Sequence, residues 1–317
     1  MLSQDQQIFK QIEKANNILI SFPKEADGDV LANALAWFLF LKKIDKKAEI
    51  VGGQESNLKS WSFLPSFIEV KQKLDNLRKF IVSLNIKNAK ISQIKYLVEN
   101  DLLNFIISPS SGWFTHDDIS SSSSGFKYDL IIIIGATDLE SLGDIYDQNI
   151  EFFYKTTIIN LDYHPENEEY GQINFIELNT LSVAEISFYL FKNYQEKNID
   201  EDIATCLLAG IIAKTKNFKT PNLTPRALLT TSQLIGLGAR REEIVDRLYR
   251  SKGLNALKLW GKMLNNLNSE AGNHLIWSSL SSENIIPNHD PEPDLVDIID
   301  ELIINIPEAK IIITFYP

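Results

Sequence analysis

The chain has little of what ties a protein to an oxidising compartment, a membrane or a polyanion. One cysteine, Cys206, occurs in 317 residues, so no internal disulfide can form and the expected compartment is a reducing one, the cytoplasm. Its neighbours, ATCLLAGII, make it a buried small hydrophobe rather than a nucleophile. Long hydrophobic runs are missing: Val30 to Leu41 and Leu130 to Ala136 both fall short of the ~20 residues that span a bilayer, so no membrane partner is expected. The opening segment, SQDQQIFKQIEKANN, has neither a basic leader nor an apolar stretch, and no signal peptide is expected. Positive charge is scarce as well. With 31 Lys and Arg against 42 Asp and Glu, the formal net charge of -11 excludes broad, phosphate-driven nucleic-acid binding and leaves room for a local basic patch only.

What remains is an ordinary globular composition, 44% hydrophobic and 23% charged, in a chain long enough for two domains. Ile8, Phe9 and Ile12 recur at helical spacing and predict an amphipathic N-terminal helix. Ile18 to Phe22 reads as an apolar strand, followed by a loop with Asp27, Gly28 and Asp29, a helix from Val30 to Leu41 whose Trp37, Phe38 and Phe40 belong to the core, and a strand at Lys47 to Val51. Three β-rich segments, Arg78 to Leu84, Ala89 to Val98 and Leu102 to Ser108, are too closely spaced for crossover helices and predict an inserted antiparallel meander within about 54–127. Pro109 to Gly125, with serines at 120–124, reads as a partly disordered loop. Tyr128 to Gly135 (YDLIIIIG) and Thr156 to Asp162 are continuous apolar strands of the kind buried on both faces of a parallel sheet, with a short helix from Asp138 through Ile145 between them. Helices follow at about 182–194, 199–213, 224–236, 241–248 and 253–267. A strand at 274–278, a Pro-rich linker at 287–293, a helix at 295–304 and a strand at 310–315 close the chain.

The expected fold is therefore α/β: a Rossmann-like parallel sheet of about five strands with an antiparallel insertion. The expected domains are 1–240 for the α/β unit, 241–272 for a helical connector and 273–317 for a partial C-terminal unit.

Chemistry-bearing residues gather at the ends of these elements: Asp27 with Asp29, the turn at 135–138, Asp162 with His164, and the helix end at 213–218. Carboxylates and imidazole at the carboxyl ends of parallel strands suit a hard-metal site for phosphoryl chemistry. Taken singly, an Asp-Gly-Asp also serves as a turn or helix cap, and a histidine after a strand is often simply solvated. Lys214, Lys216, Lys219 and Arg226 form a candidate phosphate-binding cluster or a solvated helix end. Trp113, Phe114 and His116 could stack on a base or form a hydrophobic clasp. His274 and His289 have no partners by spacing.

The order of the pieces resembles the DHH phosphoesterase family, in its nanoRNase and pAp phosphatase branch, from about Asn17 to Gly238. The resemblance rests on ADGD at 26–29, DLIIIIGATDLESLG at 129–143, LDYHPEN at 161–167 and LLAGIIAKTKNF at 207–218, supported by SVAEI at 182–186. It implies a manganese-dependent hydrolase of short oligoribonucleotides or pAp, with Asp27 and Asp29 as metal ligands and Asp162 and His164 in the catalytic motif. Four family ligands are replaced. Pro23 stands where the first motif has histidine, Gly135 where the second has its metal-bridging aspartate, Tyr163 at the first histidine of Asp-His-His, and Lys214 at the fourth motif's aspartate. By that count each metal keeps one carboxylate, against the three or more protein ligands usual in catalytic sites.

The resemblance thus implies a phosphoesterase-like protein with vestigial sites and impaired catalysis, binding a nucleotide or short oligonucleotide, with no cofactor. The alternative is an active metal-dependent phosphoesterase using manganese. Lys214 is expected either to pair with the carboxylates of Asp27, Asp29 and Asp162 or to point to solvent at its helix end. The family's C-terminal Gly-Gly-Gly-His, which contacts substrate phosphate, is not found in the sequence, and 273–317 resembles only the start of that domain. A homodimer is the default assembly.

Overall fold

Leu130–Ile134 is an unbroken aliphatic strand, and such a strand is stable only with both faces covered. In the computed structural model, which describes residues 2–53, 59–250, 254–281 and 306–317 together with Leu295, Ile298 and Ile299, it lies inside a six-stranded, wholly parallel sheet. In chain order the strands are β1 (Asn17–Phe22), β2 (Lys47–Gly52), β3 (Val70–Lys71), β8 (Leu130–Ile134), β9 (Thr157–Asp162) and β10 (Ile173–Ile176). Their spatial order is β10-β9-β8-β1-β2-β3. The chain leaves β1 toward β2 on one side and returns to β8 on the other, so the strand order reverses between β1 and β8. Open α/β sheets form their ligand crevice at the carboxyl ends of strands at such a switch point.

One face of the sheet carries α1 (Gln4–Lys14) and α2 (Gly28–Lys43), with α5 (Val183–Gln195) and α6 (Glu201–Lys214) packed on α2. Helix α2 is apolar almost all round because it is enclosed by other elements. Trp37 and Phe40 are buried there, Phe40 stacks on Phe191 at 4.0 Å between centroids, and Trp37 Nε1 donates to Ser187 Oγ at 2.9 Å. The other face is covered by Leu142, Ile145, Phe152 and Phe153, from the segment holding the short helices α3 (Asp144–Asp147) and α4 (Ile150–Lys155). The remaining helices of the first unit are α7 (Pro225–Gly236) and α8 (Arg241–Tyr249), the latter running across the division between units.

The insertion departs from the expected meander. β5 (Lys90–Glu99) and β6 (Leu102–Ser111) form one antiparallel hairpin, and β4 (Arg78–Leu84) pairs with β7 (Ile119–Phe126), which encloses it in sequence. Asn100 and Asp101, both with positive φ, make the two-residue turn that joins β5 to β6 tightly and leaves β4 to find a later partner. That partner is the serine-rich stretch expected to be a loop. Its backbone satisfies the ladder of β4, which composition alone could not show. Pro109 is accommodated opposite Ile91, where the register of β5 and β6 shifts.

The chain divides into two units, Met1–Val245 and Asp246–Pro317. In the second, α9 (Leu254–Asn265) packs on a sheet in which β12 (Leu275–Ser279) lies between β11 (Asn268–Glu270) and β13 (Ile311–Phe315). Its core joins Leu259, Met263, Ile276, Leu295 and Ile298. The expected linker at 287–293 and His289 lie outside the described residues, as does most of the expected helix at 295–304. No described helix is long and apolar enough to cross a membrane.

Candidate functional site

The Asp-Gly-Asp loop does two structural tasks at once. Asp27 is the N-cap of α2, its Oδ1 accepting from the Val30 N–H at 3.1 Å. Asp29 is fully buried and accepts three hydrogen bonds: from Ser182 Oγ at 2.7 Å, from the Val183 N–H at 2.9 Å and from Asn33 Nδ2 at 2.9 Å. Its carboxylate thereby ties the start of α2 to the start of α5. Gly210 of α6 makes room for it, since a Cβ there would stand 2.6 Å from Asp29 Oδ1. Gly28, between the two acids, lies under the Trp61 ring, which an added Cβ would meet at 1.7 Å. Trp61 is itself buried and stacks on Phe63. Pro23 is half-buried in the loop that follows β1.

Gly135 ends β8 with φ +65°, a conformation natural to glycine, and its N–H donates to Leu161 O at 2.9 Å. A Cβ at this position would come within 2.5 Å of Val30 Cγ2. Asp138 lies just beyond, its Oδ1 accepting from the Ser141 N–H at 2.7 Å. At the end of β9, Asp162 accepts from His164 Nδ1 at 2.8 Å and from Asn167 Nδ2 at 2.7 Å. Asn167 also donates to Ala136 O, where the Tyr170 hydroxyl donates too, so the third motif is laced to the turn after β8.

Lys214 is the last residue of α6. Its Nζ lies 3.0 Å from Asp27 Oδ2 and 5.2 Å from the centre of the Tyr163 ring. Past it, Lys216, Asn217 and Phe218 all take positive φ, a strained run for non-glycine residues that swings the chain away from the helix. Lys216 and Lys219 both interact with neighbouring groups. Arg226 is drawn elsewhere, to Glu177 at 3.5 Å and to the buried Glu185 at 3.8 Å, beside a pocket of about 640 Å³ lined by Phe175, Phe188 and Tyr189. Of the four expected phosphate-binding residues, Arg226 is thus paired with acids away from Lys214. Trp113 and His116 project into solvent between β6 and β7, and Phe114 is half-buried.

The protonation states follow from this packing. Burial, with the nearby charge of Asp27, pushes the Asp29 carboxyl up to about 7, against its hydrogen bonds from Ser182 and Val183 and the charge of Lys214. Burial also opposes the Lys214 ammonium, but Tyr163 and Asp27 outweigh it and hold its pKa above the ordinary lysine value. The Tyr163 phenol is pushed up to about 12 by burial, with the charges of Asp29 and Asp27 adding to it. Burial disfavours ionised Asp162, yet the hydrogen bonds from His164 and Asn167 bring its carboxyl below the usual range. His164 is raised in turn by its bond to Asp162.

These donors do not fit a divalent cation. Both oxygens of Asp29 accept protein hydrogen bonds, Asp27 is divided between the helix cap and Lys214, and Asp162 is divided between His164 and Asn167. Among the described residues, no three His, Cys, Asp or Glu side chains converge to hold a metal ion. Sequence reasoning missed Trp61 and Tyr170, which meet motif residues through the fold, and gave no role to Asn33 and Asn167, whose hydrogen bonds to Asp29 and Asp162 are local, four and five residues along the chain. Ser182 was legible in part, as the first residue of the Ser-x-x-Glu helix start at 182–185.

Comparison with known proteins agrees with the architecture. The "bifunctional oligoribonuclease and PAP phosphatase NrnA" of Bacillus subtilis is 30% identical over 118 residues, 36% of this chain and 37% of that protein. Its namesake in Thermus thermophilus is 27% identical over 126 residues, 40% and 38% of the two chains. An uncharacterised protein of Mycoplasma genitalium, MG371, is 31% identical over 91 residues, 29% of this chain and 28% of that one. The chain thus spans less than two fifths of the length of the curated relatives it matches. Among solved structures, an exopolyphosphatase-related protein from Bacteroides fragilis superposes with a TM-score of 0.68 at 15% identity, covering 96% of this chain and 77% of that one. Residues 17–211, which hold the whole parallel sheet together with Asp27, Asp29, Asp162 and His164 and stop short of Lys214, match the DHH family's N-terminal domain, and the chain belongs to the DHH family.

Proposed function

We propose that this DHH-family protein binds a nucleotide or short oligonucleotide at the rim of its parallel sheet without a metal ion, and that its phosphoesterase activity is impaired. The observation that carries the reading is the Lys214 ammonium 3.0 Å from Asp27, at the position where the family resemblance implies a metal-binding aspartate. An ammonium repels a divalent ion and offsets the repulsion between carboxylates that no longer share one. It can also turn toward a phosphate, since its side chain is 31% exposed. The relatives' printed names supply the ligand class, oligoribonucleotides and PAP.

A second reading, an active metal-dependent phosphoesterase, draws on the Asp162–His164 pair. Its imidazole is oriented by the carboxylate and partly open to solvent, as an acid–base group requires.

Titration calorimetry with manganese, pAp and a dinucleotide, together with hydrolysis assays of both substrates, separates the two. The proposal expects ligand binding in EDTA, weakened at least tenfold by Lys214→Met, with no saturable micromolar manganese binding. Manganese binding at that level, or turnover abolished by Asp27→Ala, selects the second reading.

A further inference from the structure

Helices α5 and α7 border a cavity of about 640 Å³, a volume usual for a small-molecule site, and none of Asp27, Asp29, Asp162, His164 or Lys214 lines it. Glu185 and Tyr189 on α5, and Arg226 and Leu229 on α7, each stand one helical turn apart along its two sides. Buried Phe175 and Phe188 make its apolar wall, and Tyr189, 43% exposed, offers a ring face.

Two groups in this cavity are unfinished. The Glu185 side chain is fully buried; its Oε1 accepts from the Leu181 N–H at 2.9 Å, and its Oε2 has no hydrogen-bond partner among the described residues. The Arg226 guanidinium lies 3.8 Å from that oxygen through Nε and 3.5 Å from Glu177 through Nη1. Both separations exceed the ~2.7–3.2 Å of an N–H···O hydrogen bond. Burial pushes the Glu185 carboxyl up, against the Leu181 N–H and the charge of Arg226. What the site lacks is a further donor to Oε2.

The missing partners define an occupant. Oε2 needs an N–H, and Arg226 needs an acceptor. A carbonyl oxygen can accept from both Nε and Nη1 through its two lone pairs, where a ring nitrogen has only one. The donor and acceptor must be adjacent, because Nε and Oε2 are 3.8 Å apart, and the aromatic wall beside them suits a flat ring. Charge disfavours a polyanion, since Asp5, Glu177 and Glu185 line the cavity against Lys192 and Arg226. We propose that this cavity binds an uncharged nucleoside by the lactam edge of its base, with the ring N–H donating to Glu185 Oε2, the adjacent C=O accepting from Arg226 and the ring lying on Tyr189. Uracil and guanine carry that edge; cytosine and adenine do not. The site is independent of the nucleotide reading at the sheet rim and shares none of its residues.

Titration calorimetry of the full chain in EDTA, with uridine and guanosine as probes, tests this. Both should bind saturably below about 1 mM, and 3-methyluridine, whose ring N–H is blocked, should bind at least about tenfold more weakly. Glu185→Gln keeps an oxygen for Leu181 and turns the acceptor at Oε2 into a donor. Uridine affinity should then fall at least about tenfold, while cytidine, with a ring-nitrogen acceptor beside its carbonyl, gains by a similar factor. A merely structural Glu185 would lower stability without reversing the order of the two pyrimidines. Arg226→Met, at a partly exposed position, keeps the test open should Glu185→Gln not fold, and should weaken uridine and guanosine at least about tenfold. Absence of saturable binding by uridine and guanosine overturns the proposal, as does wild-type protein that binds 3-methyluridine or cytidine as tightly as uridine, or uridine affinity unchanged in either folded variant. Glutamine bound as tightly as uridine also overturns it, assigning the cavity to a carboxamide and not a ring.

Discussion

Gly135→Asp puts back the carboxylate that the family resemblance implies for the second motif, and the fold resists it for two separable reasons. At φ +65° an aspartate sits in the left-handed region, at a cost of about 1 kcal/mol because its short polar side chain tolerates that region better than most. Its Cβ would also stand 2.5 Å from Val30 Cγ2. Val30 is buried and β-branched in the first turn of α2, so it cannot swing away without leaving its preferred rotamer. Relief of such overpacking typically takes about 1–3 kcal/mol. The expected destabilisation is therefore about 2–4 kcal/mol, or a fall in Tm of roughly 5–15 °C.

Denaturant unfolding followed by intrinsic fluorescence measures it, and a cycle with Val30→Ala isolates the contact. Removing the two Cγ atoms should leave only the backbone part, about 1 kcal/mol, as the cost of Gly135→Asp. An aspartate tolerated within about 0.5 kcal/mol, or a penalty equally large beside Val30→Ala, would refute the reasoning. The functional corollary concerns the four replaced positions. Restoring them together as Pro23→His, Gly135→Asp, Tyr163→His and Lys214→Asp should give manganese binding only when Val30→Ala is added.

Four further outcomes follow from the same geometry. Asp29, raised from 3.8 to about 7, favours the folded state fully below pH ~4 and loses that contribution as pH rises toward 7, so Asp29→Asn should flatten this decline in unfolding free energies measured from pH 4 to 8. His164 is raised by Asp162; its contribution is full below its ordinary pKa near 6.5 and lost as pH rises through the higher folded value, and His164→Gln should abolish that slope and also weaken the acid limb, because Asp162 then loses one of the partners that lower its carboxyl. Gly28→Ala drives a Cβ into the buried Trp61 ring and should cost about 1–3 kcal/mol, recovered in part beside Trp61→Ala; an additive double variant would contradict the contact. Lys214→Asp sets a third carboxylate beside Asp27 and Asp29, and should destabilise more at pH 8 than at pH 5, with a pH-independent loss counting against the ion pair.

The sheet was legible because its central strands are continuous aliphatic runs, Ile18 to Phe22, Leu130 to Ile134 and Thr157 to Asp162, bounded by turn residues. The two edges were not. β3 is the pair Val70–Lys71 and β10 the four residues Ile173–Ile176, too short to establish a periodicity. The insertion was read as strands but paired wrongly, because pairing depends on a turn at Asn100–Asp101 and on a backbone ladder to serines, and neither is written in hydrophobic pattern. At the site, motif order located Asp27, Asp29, Asp162, His164 and Lys214 at one rim. It could not show that Asp29 is spent on the start of α5, or that Arg226 belongs to Glu177 and Glu185, since both depend on which helix lies beside which.

Charge gives the replacements a common physical sense. A cluster of ionised carboxylates at one sheet rim is stable only with cations among them or with protons on some of its members. In the metal-free reading proposed above, this chain uses every other means. It leaves out two acids, at Gly135 and Lys214; it supplies an ammonium to Asp27; it shares a proton between Asp162 and His164; and it buries Asp29 so that the acid stays half-neutral near pH 7 while hydrogen-bond donors and the amino end of α5 hold what charge remains. Reversing one step alone leaves the others working against it. A carboxylate at position 214 repels Asp27, and one at 135 meets Val30 before it meets any ion. On that proposed reading, the way back to a metal centre runs through variants less stable than either end.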